Sequence, residues 1–125
     1  MVLVKMKLKK LVLFLFGFLG GLFSVSGQVI QSVGTAQAAQ VTVFITDDAQ
    51  QADLHVFRVD YKKDSKGNRG HWYFQDALTY ADVKVYFTDT AAAAELLIYF
   101  VDSPTQARWL NRKKKQLLEK WSVPF

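Results

Sequence analysis

Apolar and polar positions alternate along this chain in short bursts rather than in helical stripes. Residues 41–46 (VTVFIT), 54–59 (LHVFRV), 71–75 (HWYFQ), 83–88 (VKVYFT) and 96–101 (LLIYFV) are rich in β-branched and aromatic side chains, the composition of half-buried strands. Val41 and Val43, Leu54 and Val56, Val83 and Val85, and Leu96 and Ile98 mark one face, and Thr42, His55 and Lys84 point the other way. That two-residue period predicts strands with one apolar side, although Leu97 breaks it. One position further on comes an aromatic residue every time: Phe44, Phe57, Tyr73, Tyr86 and Tyr99. Their parity sets them opposite the aliphatic face, and on adjacent strands they would form an aromatic ladder.

The bursts recur at a fixed interval. Units begin at positions 34, 47, 60, 76, 89 and 102, thirteen apart except for one that is longer by three. Five units open with aspartate (Asp47, Asp60, Asp76, Asp89 and Asp102), and Ala39, Ala52, Ala81, Ala94 and Ala107 stand five residues into their units. The next position is acidic at Asp53, Asp82 and Glu95. Aspartate followed by Ala- and Gln-rich residues predicts a single helical turn with a carboxylate N-cap. Residues 28–33 read as a strand leading into the first unit. The long unit, DYKKDSKGNRGHWYFQ, carries Lys62, Lys63, Lys66 and Arg69 around Gly67 and Gly70 and reads as an exposed loop.

A six-residue strand spans about 20 Å. With one turn added, a thirteen-residue unit crosses a domain once, so successive units should alternate between two layers, with sheet neighbours two units apart. On periodicity alone the candidates are a short β-solenoid or a sandwich. The iterated aspartate, the turn ending in Ala-Asp, strands such as VKVYFTD, the KGNRGHWYF segment and the closing QARWLNRKKK resemble the small bacterial septoil-knot family over roughly residues 41–121. Gly34 and Gln40 depart from that pattern. The resemblance implies a seven-crossing torus knot of unknown function. The fold class expected is therefore β-rich α+β: about five to six short strands alternating with single helical turns in 13-residue repeats, woven in two layers, and, from the resemblance, deeply knotted.

The first residues change the compartment. Lys5, Lys7, Lys9 and Lys10 precede an apolar run at 11–23 and small residues at 24–27, the layout of a secretory signal. Cleavage could follow Gly27 or Ala38, and the repeat favours Gly27, giving a signal over 1–27 and a single domain over 28–125. Residues 11–30 could instead be retained as an anchor. The chain carries 16 Lys plus Arg against 11 Asp plus Glu; the signal removes four lysines and leaves 12 against 11. A nucleic-acid role based on global charge fails on that count. There are no cysteines, which excludes thiol catalysis and disulfide stapling.

Candidate chemistry is sparse. The repeated aspartates could bind calcium or supply an acid and base, but capping accounts for them without a ligand, and no EF-hand-like run occurs. The aromatic column Phe44, Phe57, Tyr73, Tyr86 and Tyr99 could stack a sugar or peptide, or pack beneath the turns as a second apolar layer. His55 and His71 lack metal-ligand spacing, and no metal or cofactor is expected. In the tail, Arg108, Arg112, Lys113, Lys114 and Lys115 could contact a polyanion, while Leu110, Leu117 and Trp121 fall near one face if the segment is a helix.

The function expected is a very stable, monomeric binding or structural module of the bacterial cell envelope, more a binder than an enzyme. Its partner would be a glycan, peptide or envelope polymer. The alternatives are a hydrolase of envelope polymers using a pair of the aspartates, and a polyanion- or lipid-surface-binding protein acting through the tail.

Overall fold

Strands begin at Gln28, Val41 and Leu54, and again at Val83 and Leu96, so the thirteen-residue interval is a spacing of strand starts. The computed structural model describes residues 28–76 and 80–119. Within them lie β1 (Gln28–Ser32), β2 (Val41–Ile45), β3 (Leu54–Arg58), β4 (His71–Phe74), β5 (Val83–Phe87), β6 (Leu96–Phe100), β7 (Arg108–Trp109) and α1 (Gln116–Glu119). Three-residue 3-10 turns at Ala36–Ala38, Ala49–Gln51, Lys62–Asp64, Ala91–Ala93, Pro104–Gln106 and Arg112–Lys114 punctuate them. The segment expected to be a signal lies outside the described residues.

β1 to β6 are all parallel and close into a six-stranded barrel in the order β4-β1-β5-β2-β6-β3, with β3 bonded back to β4. The two-layer arrangement with neighbours two units apart is corrected by this topology. Each of these strands is only four or five residues long, and the eight residues of 33–40, 46–53 and 88–95 return the chain outside the barrel to the same end; eight residues also separate β4 from β5. Parallel pairs usually need a crossover of about a dozen residues or more; these short strands need less.

The order has a simple origin. From β1 to β2 to β3 the chain advances two places around the ring each time, and from β4 to β5 to β6 it does so again. Between β3 and β4 it advances one place only. That single odd step drops the second winding into the gaps left by the first. Apart from the β3–β4 seam, each parallel pair therefore joins strands three or four positions apart in the chain.

Alternate residues face inward. Ile30, Val41, Val43, Leu54, Val56, Trp72, Val83, Val85, Leu96 and Ile98 fill the barrel, each at most 1% exposed. At the end where the strands finish, Phe74, Phe87 and Phe100 pack against this core, the Phe74 ring 6.3 Å from that of Phe87 and 6.5 Å from that of Phe100, and the Arg58 guanidinium covers Phe74 at 4.8 Å. At the opposite end Trp72 donates its indole N–H to Gln28 Oε1 at 3.0 Å, Gln28 donates to Asn68 Oδ1 at 2.7 Å, and Leu118 of α1 is fully buried.

The turns are not capped as expected. The residues that cap them are Thr35, Asp48, Tyr61, Thr90, Ser103 and Asn111, so Asp47, Asp60, Asp89 and Asp102 each fall one residue too early. Among the described residues their carboxylates form no hydrogen bond or ion pair. Backbone bonds close the turns, such as Gln51 N–H to Asp48 O at 3.1 Å and Ala93 N–H to Thr90 O at 3.3 Å. The turn expected after Asp76 falls largely in residues 77–79, outside the described ones.

A different position in the unit does the gripping. Gln40, Asp53, Asp82 and Glu95 each precede a strand and clasp a residue of the neighbouring one. Their side-chain oxygens accept the N–H of Lys84, Leu97, Val29 and Thr42 at 2.8, 2.8, 2.9 and 3.0 Å. Their own N–H groups donate to the carbonyls of the same four partners at 2.7–3.0 Å. A parallel ladder would satisfy the partner's N–H with the preceding carbonyl of the incoming chain, but there the chain has turned away. The side chain stands in for it. The Tyr80 phenol is raised above its usual 10.0, first by burial and then by the charge and hydrogen bond of the Asp82 carboxylate.

Asp82→Ala should lower stability by about 1–3 kcal/mol by stranding the buried Val29 N–H, and Asp82→Asn should recover most of that because an amide oxygen still accepts. Asp47→Ala and Asp89→Ala should change stability by less than about 0.5 kcal/mol. Denaturant midpoints of the four variants check both expectations.

Candidate binding cleft

The odd step of the winding is also the longest connection. To reach the adjacent place the chain spends the twelve residues 59–70, where eight suffice for two places elsewhere. Reach does not demand that length, and the extra residues do two things.

The inner half of the loop closes the barrel. Gln28 N–H donates to Ser65 O, whose side chain is fully buried and donates to Lys62 O at 2.7 Å. Asn68 is the hub: beyond its bond to Gln28, its carbonyl receives the Trp109 indole N–H at 3.0 Å, and its amide donates to Lys115 O at 3.0 Å. Gly70, at φ +89°, runs so close to β3 that a Cβ would lie 2.4 Å from the His55 carbonyl oxygen. Only glycine fits that combination.

The outer half makes one wall of a cleft of about 580 Å³ against the outer face of the β3–β4 seam. Lys63, Lys66 and Arg69 supply positive charge and Asp60 and Asp64 negative charge, while Phe57, Tyr61, His71 and Pro104 supply apolar surface. The geometry of the seam sets the floor. Phe57 pairs with His71 across it, their rings edge to face at 6.4 Å, and His71 Nε2 lies 3.0 Å from Pro104 O. Tyr61 is 65% exposed, with Lys63 Nζ 5.8 Å from its ring centre.

The other candidates are dispersed. Phe44, Phe57, Tyr73, Tyr86 and Tyr99 do lie on the outer face, each half-buried, but they do not form a ladder. Parallel neighbours are staggered, so Phe44 stands beside Leu97, Tyr86 beside Thr42, Tyr99 beside His55 and Tyr73 beside Val29. Of the five only Phe57 lines the cleft. His55 bonds Ala49 O at 2.8 Å and packs on Tyr99 at 5.4 Å.

The tail is not a single helix. Arg108–Trp109 is a short antiparallel strand on β3, and α1 covers Gln116–Glu119. Leu118 is the fully buried residue of this segment, Leu117 packs half-buried against the same core, and Trp121 lies outside the described residues. Lys114 pairs with Asp53 at 3.0 Å, and Asn111 donates to the same carboxylate at 3.3 Å. Of the proposed polyanion contacts, Arg108, Arg112 and Lys113 remain exposed. Among the described residues no group of three or more His, Asp or Glu could hold a metal ion, and no helix is long and apolar enough to cross a membrane.

A ring of interleaved thirteen-residue units, locked at one end by an Asn and Trp hub, defines a class of repeat barrel. The family described as the 7(1) septoil knot domain matches residues 27–110, and the chain belongs to that family. No curated protein and no solved structure matches the chain.

Proposed function

We propose that this chain is an exported module whose task is to persist in the cell envelope and present a binding surface there. Residues 1–27 direct its export, Gln28 begins the mature protein, and the domain acts as a knotted monomer. The observation that carries this reading is the interleaved double winding. β1 and β2 of the first winding and β5 and β6 of the second are each hydrogen-bonded on both sides to strands three or four positions away in the chain. No unit can peel off alone, and the closed barrel offers no edge to other chains. Threading, as the family's description names it, would add a further barrier to escape. Slow unfolding suits a compartment rich in proteases for a chain without cysteine.

A binding role rather than hydrolysis is favoured because only Asp60 of the repeated aspartates lines the cleft. Lys114, held by Asp53, argues against the tail as the main contact surface.

The test is kinetic. Unfolding in guanidinium, extrapolated to water, should be no faster than about 10⁻⁶ s⁻¹, the slow end for small domains. Thermolysin should leave the domain intact for days. Unfolding within minutes would remove the reading, and a mature N-terminus other than Gln28 would correct the processing site.

A further inference from the structure

We propose that the cleft beside the long unit binds a short acidic oligosaccharide, with a carboxylate of the sugar on Arg69 and a pyranose ring against Tyr61. This rests on the binding-module reading and gives it a ligand class.

Unspent donors are concentrated at this place. Among the described residues the only ion pair is Lys114–Asp53. The charged ends of Lys66 and Arg69 form no hydrogen bond or ion pair there, and Lys63 has only the ring of Tyr61. Asp60 and Asp64 share the cleft without pairing with these cations. A cleft in which cations and carboxylates stand side by side unpaired offers both donors and acceptors, which is what sugar hydroxyls require. The excess of cations, three against two, favours an acidic sugar over a neutral one. The guanidinium fork of Arg69 suits a carboxylate bidentately.

Shape points the same way. At about 580 Å³ the cleft lies within the range of small-ligand sites, roughly 300–1,000 Å³. Tyr61 presents an exposed ring face, and Phe57 and His71 form a floor fixed by the bond to Pro104. An extended acidic peptide would seek a strand edge to pair with. Here the seam is occupied, because Phe57 and Arg58 already pair with His71 and Trp72. The floor therefore presents side chains, not free backbone.

The experiment uses protein purified after expression of the full chain, titrated calorimetrically with tetragalacturonate, neutral maltotetraose and tetraglutamate. Tetragalacturonate should bind with a Kd below about 1 mM, and maltotetraose about tenfold or more weakly. Arg69→Ala and Tyr61→Ala, both at exposed positions, should each weaken tetragalacturonate by about tenfold while leaving the thermal midpoint unchanged. No binding of tetragalacturonate at about 10 mM, or equal binding by Arg69→Ala, would overturn the proposal. Tetraglutamate binding as tightly as the sugar would also overturn it, in favour of a peptide. The unfolding rate of the same preparation is independent of these outcomes, so a barrel that persists yet ignores uronate refutes the ligand alone.

Discussion

Gly70→Ala should lower stability by about 3 kcal/mol or more, a large effect for one added methyl group. Two costs coincide. At φ +89° a side chain is strained by about 1–3 kcal/mol. The new Cβ would also meet the His55 carbonyl oxygen at 2.4 Å and Leu54 Cδ1 at 3.2 Å, and the first of these is backbone that cannot swing aside. Relief requires the loop to lift from β3, and that breaks the Phe57 N–H bond to Gly70 O, 2.8 Å long, at the seam where the ring closes. Gly34→Ala is the control, since nothing lies within 4 Å of its Cβ position; it should be neutral or slightly stabilising. Guanidinium midpoints of the two variants separate the cases, and equal midpoints would show that the close approach at Gly70 is not required.

Trp72→Ala should cost about 3–5 kcal/mol. Trp72 heads the fully buried side chains by volume, and it sits where the filling of the barrel meets the closure of its end. Its removal leaves a cavity between β3 and β1, the two strands that β4 joins. It also takes the indole N–H from Gln28 Oε1. Trp72→Phe divides the two effects: most of the volume stays, the hydrogen bond goes, and the loss should fall to about 1–3 kcal/mol. Chemical denaturation measures both variants. A Phe variant as unstable as the Ala variant would assign the residue's importance to the Gln28–Asn68 network rather than to packing.

The local structure was legible because it is written at short range. The alternation at Val41, Val43 and Leu54, Val56 defines strands whatever they pair with, and the Ala-rich stretches do form turns. The ring was not legible, since β1 pairs with strands about 50 residues away and nothing in a thirteen-residue unit specifies a partner. Caps were misplaced by one residue because Asp47-Asp48, Asp89-Thr90 and Asp102-Ser103 put two capping residues side by side. Only the backbone decides between them.

The clasps had a visible signal in the recurrence of Asp53, Asp82 and Glu95 immediately before a strand. Gln40, which looks like an exception, accepts an N–H in the same way as the acids. The cleft was half legible: Lys63, Lys66 and Arg69 read correctly as an exposed basic loop, while the seam beneath them depends on topology. The tail's apolar face was only partly legible: Leu117 does pack against the core, but α1 is four residues long and Arg108–Trp109 spends its backbone bonds on β3, so no continuous helical stripe runs through 108–119.

Most tandem-repeat proteins lengthen or shorten by duplicating or deleting whole modules. A ring of six places visited two at a time allows no such drift, because equal strides would return to the starting strand after three and leave every other place empty. The lone irregular stride between β3 and β4 fixes the tally. Inheritance in this lineage should therefore vary the loops and the composition of each module while holding their number constant.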